Sequence, residues 1–256
     1  MKLVMAMVLL LASIFVQAKG GCDVELEGGL RITNQALEFT EGDKTRFKIL
    51  NDQTVIVNGQ ALNLDSHQQA LVAQYAGSIR ALVPEIHQLT LDGIDLASRA
   101  AGLVFQEFLG PENKTVQNVR AEFLLLRNDI EKNFASDTSL NINQKGFDDR
   151  DYFGMEFEKR IGNIIEASGE EISWAFVKSI GAAIFSNDKN GNFAARINKF
   201  GEKIEHEMSA RAEKMERRGA SVCMAVSALD RKEEELRQAI REINSFNLIR
   251  LKSPSQ

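Results

Sequence analysis

The spacing of apolar residues changes once along this chain, and that change sets its architecture. Over residues 24–64 apolar and polar side chains alternate, with turn residues at short intervals. A period of two places successive side chains on opposite faces of a strand, so the segment reads as a small antiparallel meander. Gly28-Gly29 separates residues 24–27 from 30–33, Glu41-Gly42-Asp43-Lys44 separates 36–40 from 45–50, and Asn51-Asp52 makes the next turn. Asn58-Gly59 is the strongest hairpin signal, because both residues adopt positive φ readily. Leu37 and Phe39, Phe47 and Ile49, Val55 and Val57, and Leu62 and Leu64 mark one apolar face, while Arg46 and Lys48 decorate the other. A half-apolar sheet of this size is not stable alone, so the helices that follow must cover it.

At Asp65-Ser66 the period becomes helical. Ser66 with Gln69 three residues on has the form of a capping box. Leu71, Tyr75, Ile79, Leu82 and Val83 then recur at helical spacing until Pro84, which is expected to end or kink the helix. A second run carries Ile94, Leu96, Ala97, Ala101, Val104 and Phe108 and closes at Gly110-Pro111; a third, over 112–134, aligns Val116, Val119, Phe123, Leu126 and Ile130. The polar residues 135–151 read as a loop or short strand and as the best internal boundary. Helical patterns resume with Phe153, Phe157, Ile161 and Ile164, and again with Ile172, Trp174, Phe176 and Ile180. The sharpest periodicity comes last, with Val222, Val226, Leu229, Glu233, Leu236, Ile240 and Ile243 at alternating steps of four and three. Only Glu233 breaks this seam. A seam of this length is expected to pack into its own fold, with homodimerisation through the C-terminal helix as the alternative. The predicted fold class is α+β: an antiparallel β-meander over 19–64, packed in one continuous domain against long amphipathic helices over 65–256.

The N-terminus predicts an address. Lys2, an apolar run over residues 3–16 too short to span a bilayer, and Val16-Gln17-Ala18 have the form of a secretory signal peptide over residues 1–18, cleaved after Ala18. Lipid attachment at Cys22 is the rival reading, disfavoured by the charged Lys19 where such a site wants an apolar residue. No second run of eighteen apolar residues follows, so no transmembrane segment is expected after the leader is removed. The formal net charge is −5, and loss of Lys2 takes it to −6, which opposes nonspecific nucleic-acid binding. Cys22 and Cys223 are the two cysteines, and in an oxidising compartment they are expected to form a structural disulfide. Such a bridge closes a loop of about 200 residues, for which chain entropy sets an upper figure of about 5 kcal/mol.

Patterns that carry chemistry are missing. His206-Glu207 begins a zinc-protease motif, but the position that needs a second histidine is Ala210. Residues 186–197 imitate a calcium loop through Asp188, Asn190 and Gly191, yet begin with Ser186 and end with Ile197 where a bidentate glutamate belongs. Asp148, Asp149 and Asp151 are the densest carboxylate cluster, interrupted by Arg150, and read as a solvated loop. His67, His87 and His206 read as surface or satisfied residues. No catalytic residue, cofactor or metal ligand is therefore assigned.

Cys22, the meander ending in Val57-Asn58-Gly59 and Leu64-Asp65, and the helix with Gln68-Gln69, Leu71, Tyr75, Ile79-Arg80 and Val83-Pro84 resemble the YggN-like family of proteobacterial periplasmic proteins, a family of unknown function. The likeness is strongest over 22–110, and Cys223 lies near the family's C-terminal cysteine. It implies a periplasmic location in a Gram-negative bacterium and supplies no activity, substrate or cofactor. Within it, Tyr75 and Arg80 are five apart and do not share one helical stripe. Tyr75 is expected to pack under the sheet and Arg80 to pair with a carboxylate. The leading expectation is an exported, non-catalytic protein that binds an envelope partner or client. The alternatives are a periplasmic hydrolase whose carboxylates converge only in the fold, and a carrier for a small apolar ligand held between sheet and helices.

Overall fold

The computed structural model describes residues 24–42, 44–134, 140–143, 146–147 and 192–251, with a few helical positions between 159 and 166. The described residues fall into two compact units. One is drawn from Gly20–Thr90, Asp129–Tyr152 and Arg218–Gln256, the other from Leu91–Asn128 and Phe153–Arg217. In chain order the elements are β1 (Val24–Leu26), β2 (Gly29–Ile32), β3 (Ala36–Glu41), β4 (Lys44–Leu50), β5 (Thr54–Val57), β6 (Gln60–Ala61), α1 (Ser66–Leu109), α2 (Lys114–Asn133), β7 (Leu140–Asn143), β8 (Gly146–Phe147), α3 (Asn192–Ala239), a 3-10 turn (Arg241–Ile243) and β9 (Ile249–Leu251). The α+β class is as the apolar periods indicate.

The first unit is a seven-stranded sheet of order β6-β5-β4-β3-β2-β7-β8, antiparallel at every described pairing. Its hairpins follow their turn residues: Asn58 and Gly59 take φ 50° and 80°, and Asn51 and Asp52 take 47° and 59°. Leu37, Phe39, Ile49 and Val55 are fully buried on one face, as their spacing predicts. On the other face, Glu38 meets Lys48 at 3.1 Å and Arg31 at 3.8 Å.

Covering the apolar face are Val72, Tyr75, Ala76 and Ile79 from α1, Leu229 and Leu236 from α3, and Ile240 just after it. Each such side chain contributes roughly 1.5–3 kcal/mol by leaving water. Phe39 and Phe47 stack at 4.2 Å, and Phe246 meets both edge-on at 5.7 and 5.3 Å. The seam of α3 is thus core of its own chain.

Three expectations are corrected. Val24–Leu26 leaves the meander and pairs with the C-terminal strand, Leu26 opposite Ile249 and Val24 opposite Leu251; three-residue strands this short are placed by what lies beside them, not by propensity. Residues 140–143, within the stretch read as a loop or short strand, form β7, which extends the sheet on β2 with Leu30 opposite Ile142. Pro84 does not end the helix, and the run after it is not a second one: α1 is one helix of 44 residues with Pro84 inside it. The ring sits on the exposed face, and the buried neighbours Ile79, Leu82 and Leu91 hold the turns on both sides, which outweighs the roughly 3 kcal/mol a proline costs in a helix interior. Finally, the capping box is one residue earlier than expected. The Gln68 amide donates to Asp65 Oδ1 at 2.8 Å, while the Asp65 amide donates to Gln68 Oε1 at 3.0 Å.

In the second unit, α1 contributes buried Leu91, Ile94 and Leu96, α2 contributes Thr115, Val116 and Val119, and α3 contributes Met208. Ion pairs tie these helices at their margins, Arg127 to Asp95 at 2.7 Å and Arg99 to Glu207 at 3.1 Å. Exposed pairs of this kind contribute only a few tenths of a kcal/mol. The helical runs expected over 153–184, Trp174 among them, lie almost wholly outside the described residues.

Candidate functional site

Glu233 and Thr115 are buried polar side chains, and Glu233 is the one buried carboxyl among the described residues. Its position in the α3 seam points it into the sheet unit's core, between Leu229 and Leu236. There the carboxylate accepts two consecutive backbone donors from the C-terminal segment, the Leu248 amide on Oε1 at 2.7 Å and the Ile249 amide on Oε2 at 3.3 Å. Burial dominates its electrostatics and raises the carboxyl from 4.5 to about 7; the two amides and the Arg237 guanidinium pull it back, and Asp230 pushes the other way. Desolvation disfavours the charged form more than the bonds favour it.

Tyr75 faces this group from α1. Its ring packs on Phe39 at 5.8 Å under the sheet. Burial first, and then the Glu233 charge, raise the phenol well above its ordinary range. Although the two groups are close enough to interact, no hydrogen bond of ordinary length and angle joins them, and the Tyr75 hydroxyl is left buried without a partner.

Arg80 sits one and a half turns further along α1 and does a different job. Its Nε donates to both oxygens of Asp52, at 2.8 and 3.0 Å, and Nη1 donates to the Thr33 carbonyl at 2.7 Å. Both expectations for this helix hold: Tyr75 packs under the sheet, and Arg80 pairs with a carboxylate while tying down two turns. A cavity of about 150 Å³ opens at the end of β4 and β5, floored by Phe47 and Phe246 and rimmed by Arg46, Asn58, Glu242 and Ser245. Arg46 there donates to Ser245 Oγ at 3.3 Å and pairs with Glu41 at 3.4 Å.

Of the residues the sequence singles out, Cys223 lies half-buried on α3, where its carbonyl accepts the Ser227 hydroxyl at 3.0 Å. Cys22, Ala18 and the rest of the leader lie outside the described residues, as do Asp148, Asp149 and Asp151 and residues 186–191. His67 and His206 are exposed, and His87 stacks on Phe134 at 4.5 Å. Among the described residues no group of three or more His, Cys, Asp or Glu side chains could hold a metal ion, and no helix is long and apolar enough to cross a membrane. Sequence reasoning marks Glu233 as the break in a seam but cannot name its role. Its donors stand 15 and 16 residues further on, in a segment with no pattern of its own.

An antiparallel sheet covered on its apolar face by long helices, with the Glu233 carboxyl and the Tyr75 phenol sealed into the core, defines an α+β protein without a recognised catalytic constellation among its described residues. The chain belongs to the family described as "Protein of unknown function (DUF2884)", which matches residues 22–249. No curated protein and no solved structure matches it.

Proposed function

We propose that this chain is exported by its N-terminal leader and acts in the periplasm as a non-catalytic interaction protein, engaging an envelope protein through apolar contacts. The observation that carries the interaction is on α2. Leu124 and Leu125 are 58 % and 48 % exposed, although Val116, Val119 and Ile130 on the same helix are buried. Adjacent exposed leucines on a helix whose other face is already committed favour a partner that removes them from water. The export half of the reading rests on Lys2, the apolar residues 3–16 and Ala18, and on the likeness to the YggN-like periplasmic family.

A photoreactive residue in place of Leu124, used in living cells, is expected to crosslink to one recurring envelope protein. Leu125→Glu should abolish the adduct without altering thermal stability. Adducts no stronger than those from an exposed control position on the same helix would overturn the interaction. Export is tested by fractionation: the chain is expected in the periplasm without residues 1–18, and finding it soluble in the cytosol with Met1 retained refutes the address. A Cys22–Cys223 disulfide belongs to the same proposal. Intact protein denatured without reductant should take up no alkyl group, and uptake of two refutes the bond.

A further inference from the structure

The C-terminal segment buries Leu248 and Ile249, and its polar contacts run to two glutamates, Glu27 and Glu233. Among the described residues its strand β9 pairs with β1 alone, with Arg250 opposite Glu25 and Ile249 opposite Leu26. The Glu27 amide donates to the Leu248 carbonyl at 2.9 Å. Arg250 and the Asn247 side-chain amide hold the Glu27 carboxylate at 2.5 and 2.8 Å. From inside the core, the Glu233 carboxyl takes the next two amides, those of Leu248 and Ile249. Phe246, packed against Phe39 and Phe47, anchors the start of the segment.

We propose that residues 247–251 form a proton-linked latch, closed while Glu233 is neutral and loosened as Glu233 ionises. The geometry supplies the reason. A carboxylate in this position has two amide donors, one of them long at 3.3 Å, and otherwise faces apolar side chains. Its remaining polar neighbours are few. From α1 comes the Tyr75 hydroxyl, which makes no hydrogen bond; from α3 itself come Asp230, a like charge, and Arg237, an opposite one. Arg237 is shared, since it also donates to the Asn244 carbonyl, Glu234 and Asn247. A neutral carboxyl keeps its acceptor for the 2.7 Å Leu248 amide and gains an O–H to offer the Tyr75 oxygen. An ionised one must be hydrated, and water reaches it only when the segment lifts.

The linkage has a definite sign. The closed state binds the proton more tightly than the open state, so closing takes up a proton and opening releases one. Opening is therefore rare at low pH and grows as pH rises from about 4.5 to about 7, the ordinary and the buried values for this group. Above that window it levels off.

Hydrogen exchange on the whole protein, corrected for intrinsic rates, reads the opening directly. At the amides of Glu27, Leu248 and Ile249 the opening constant is expected to rise on the order of a hundredfold between pH 4.5 and 7.5 and to exceed, at every pH, that of the β3 and β4 amides, which open only with the whole sheet unit. Glu233→Gln keeps the shape and an acceptor but cannot ionise, and its opening constant should be flat over the same range. A flat wild-type profile, or an equal rise in Glu233→Gln, overturns the latch. Should that variant not fold, carbon-13 NMR of the glutamate carboxyls in the wild-type protein decides. A buried carboxyl titrating near 7 in step with the exchange supports the proposal, and its titration near 4.5 sinks it.

Discussion

Glycine 28 shows how one missing carbon positions the C-terminal segment. A Cβ there would stand 2.6 Å from Phe246 Cζ and 3.2 Å from the Thr40 carbonyl oxygen, whereas at Gly29 the nearest clash is the Thr40 hydroxyl at 2.3 Å. A threonine hydroxyl can rotate away, but the Phe246 ring, packed edge-on against both Phe39 and Phe47, cannot. Gly28→Ala is therefore expected to lower stability by about 1–3 kcal/mol and Gly29→Ala by less, measured as shifts of the urea midpoint at constant m-value. Ionisation acts at the same scale. Because the Glu233 carboxyl is raised to about 7 in the folded protein, its stabilising contribution is complete below about 4.5 and is lost as pH climbs through 7. One group with this shift accounts for at most about 3 kcal/mol. Glu38 runs the other way: its hydrogen bond from Thr45 lowers it, so its contribution is present above the ordinary carboxyl range and is lost in acid. Urea unfolding of wild type and Glu233→Gln separates the two, and wild type should lose stability relative to the variant between pH 5 and 8. An unchanged difference across that range would refute the assignment.

Among the elements, α1 carries the clearest lesson about boundaries. Its start is set by the reciprocal bonds of Asp65 and Gln68, and Ser66 is already the first helical residue. Asp65→Ala should cost about 1 kcal/mol, whereas Ser66→Ala should be close to neutral, a contrast readable by thermal unfolding. Both boxes are spelled in the chain, Asp65 with Gln68 and Ser66 with Gln69. Which one forms depends on where Leu62 and Leu64 leave the sheet, and that is not a local property. Pro84 is the converse case, a strong local stop signal overruled by burial on either side. β9 could not be read at all, since Ile249-Arg250-Leu251 is too short to declare a period and is a strand only because β1 lies beside it.

At the scale of the whole molecule, the first and last described strands, β1 and β9, are joined by pairing, and the sheet unit closes only when residues 218–251 return to it. Deleting residues 246–256 removes Phe246, Leu248 and Ile249 from the core and strips Glu233 of both its amide donors. The expected result is loss of cooperative unfolding of the sheet unit, well over 5 kcal/mol by the usual cost of emptying buried apolar sites. Circular dichroism through a thermal ramp checks it, and a sharp transition at the wild-type midpoint would contradict it. The period of two over 24–64 and the helical periods beyond Asp65 were sufficient for the class, the face of each strand and the buried stripe of α3, because alternation and heptad-like spacing are properties of neighbours in the chain. They also exposed Glu233 as an anomaly. Its meaning came from tertiary structure alone: the amides of Leu248 and Ile249, the Tyr75 hydroxyl and the partner strand of β9 are distant in sequence, and a carboxyl's protonation depends on what surrounds it in space.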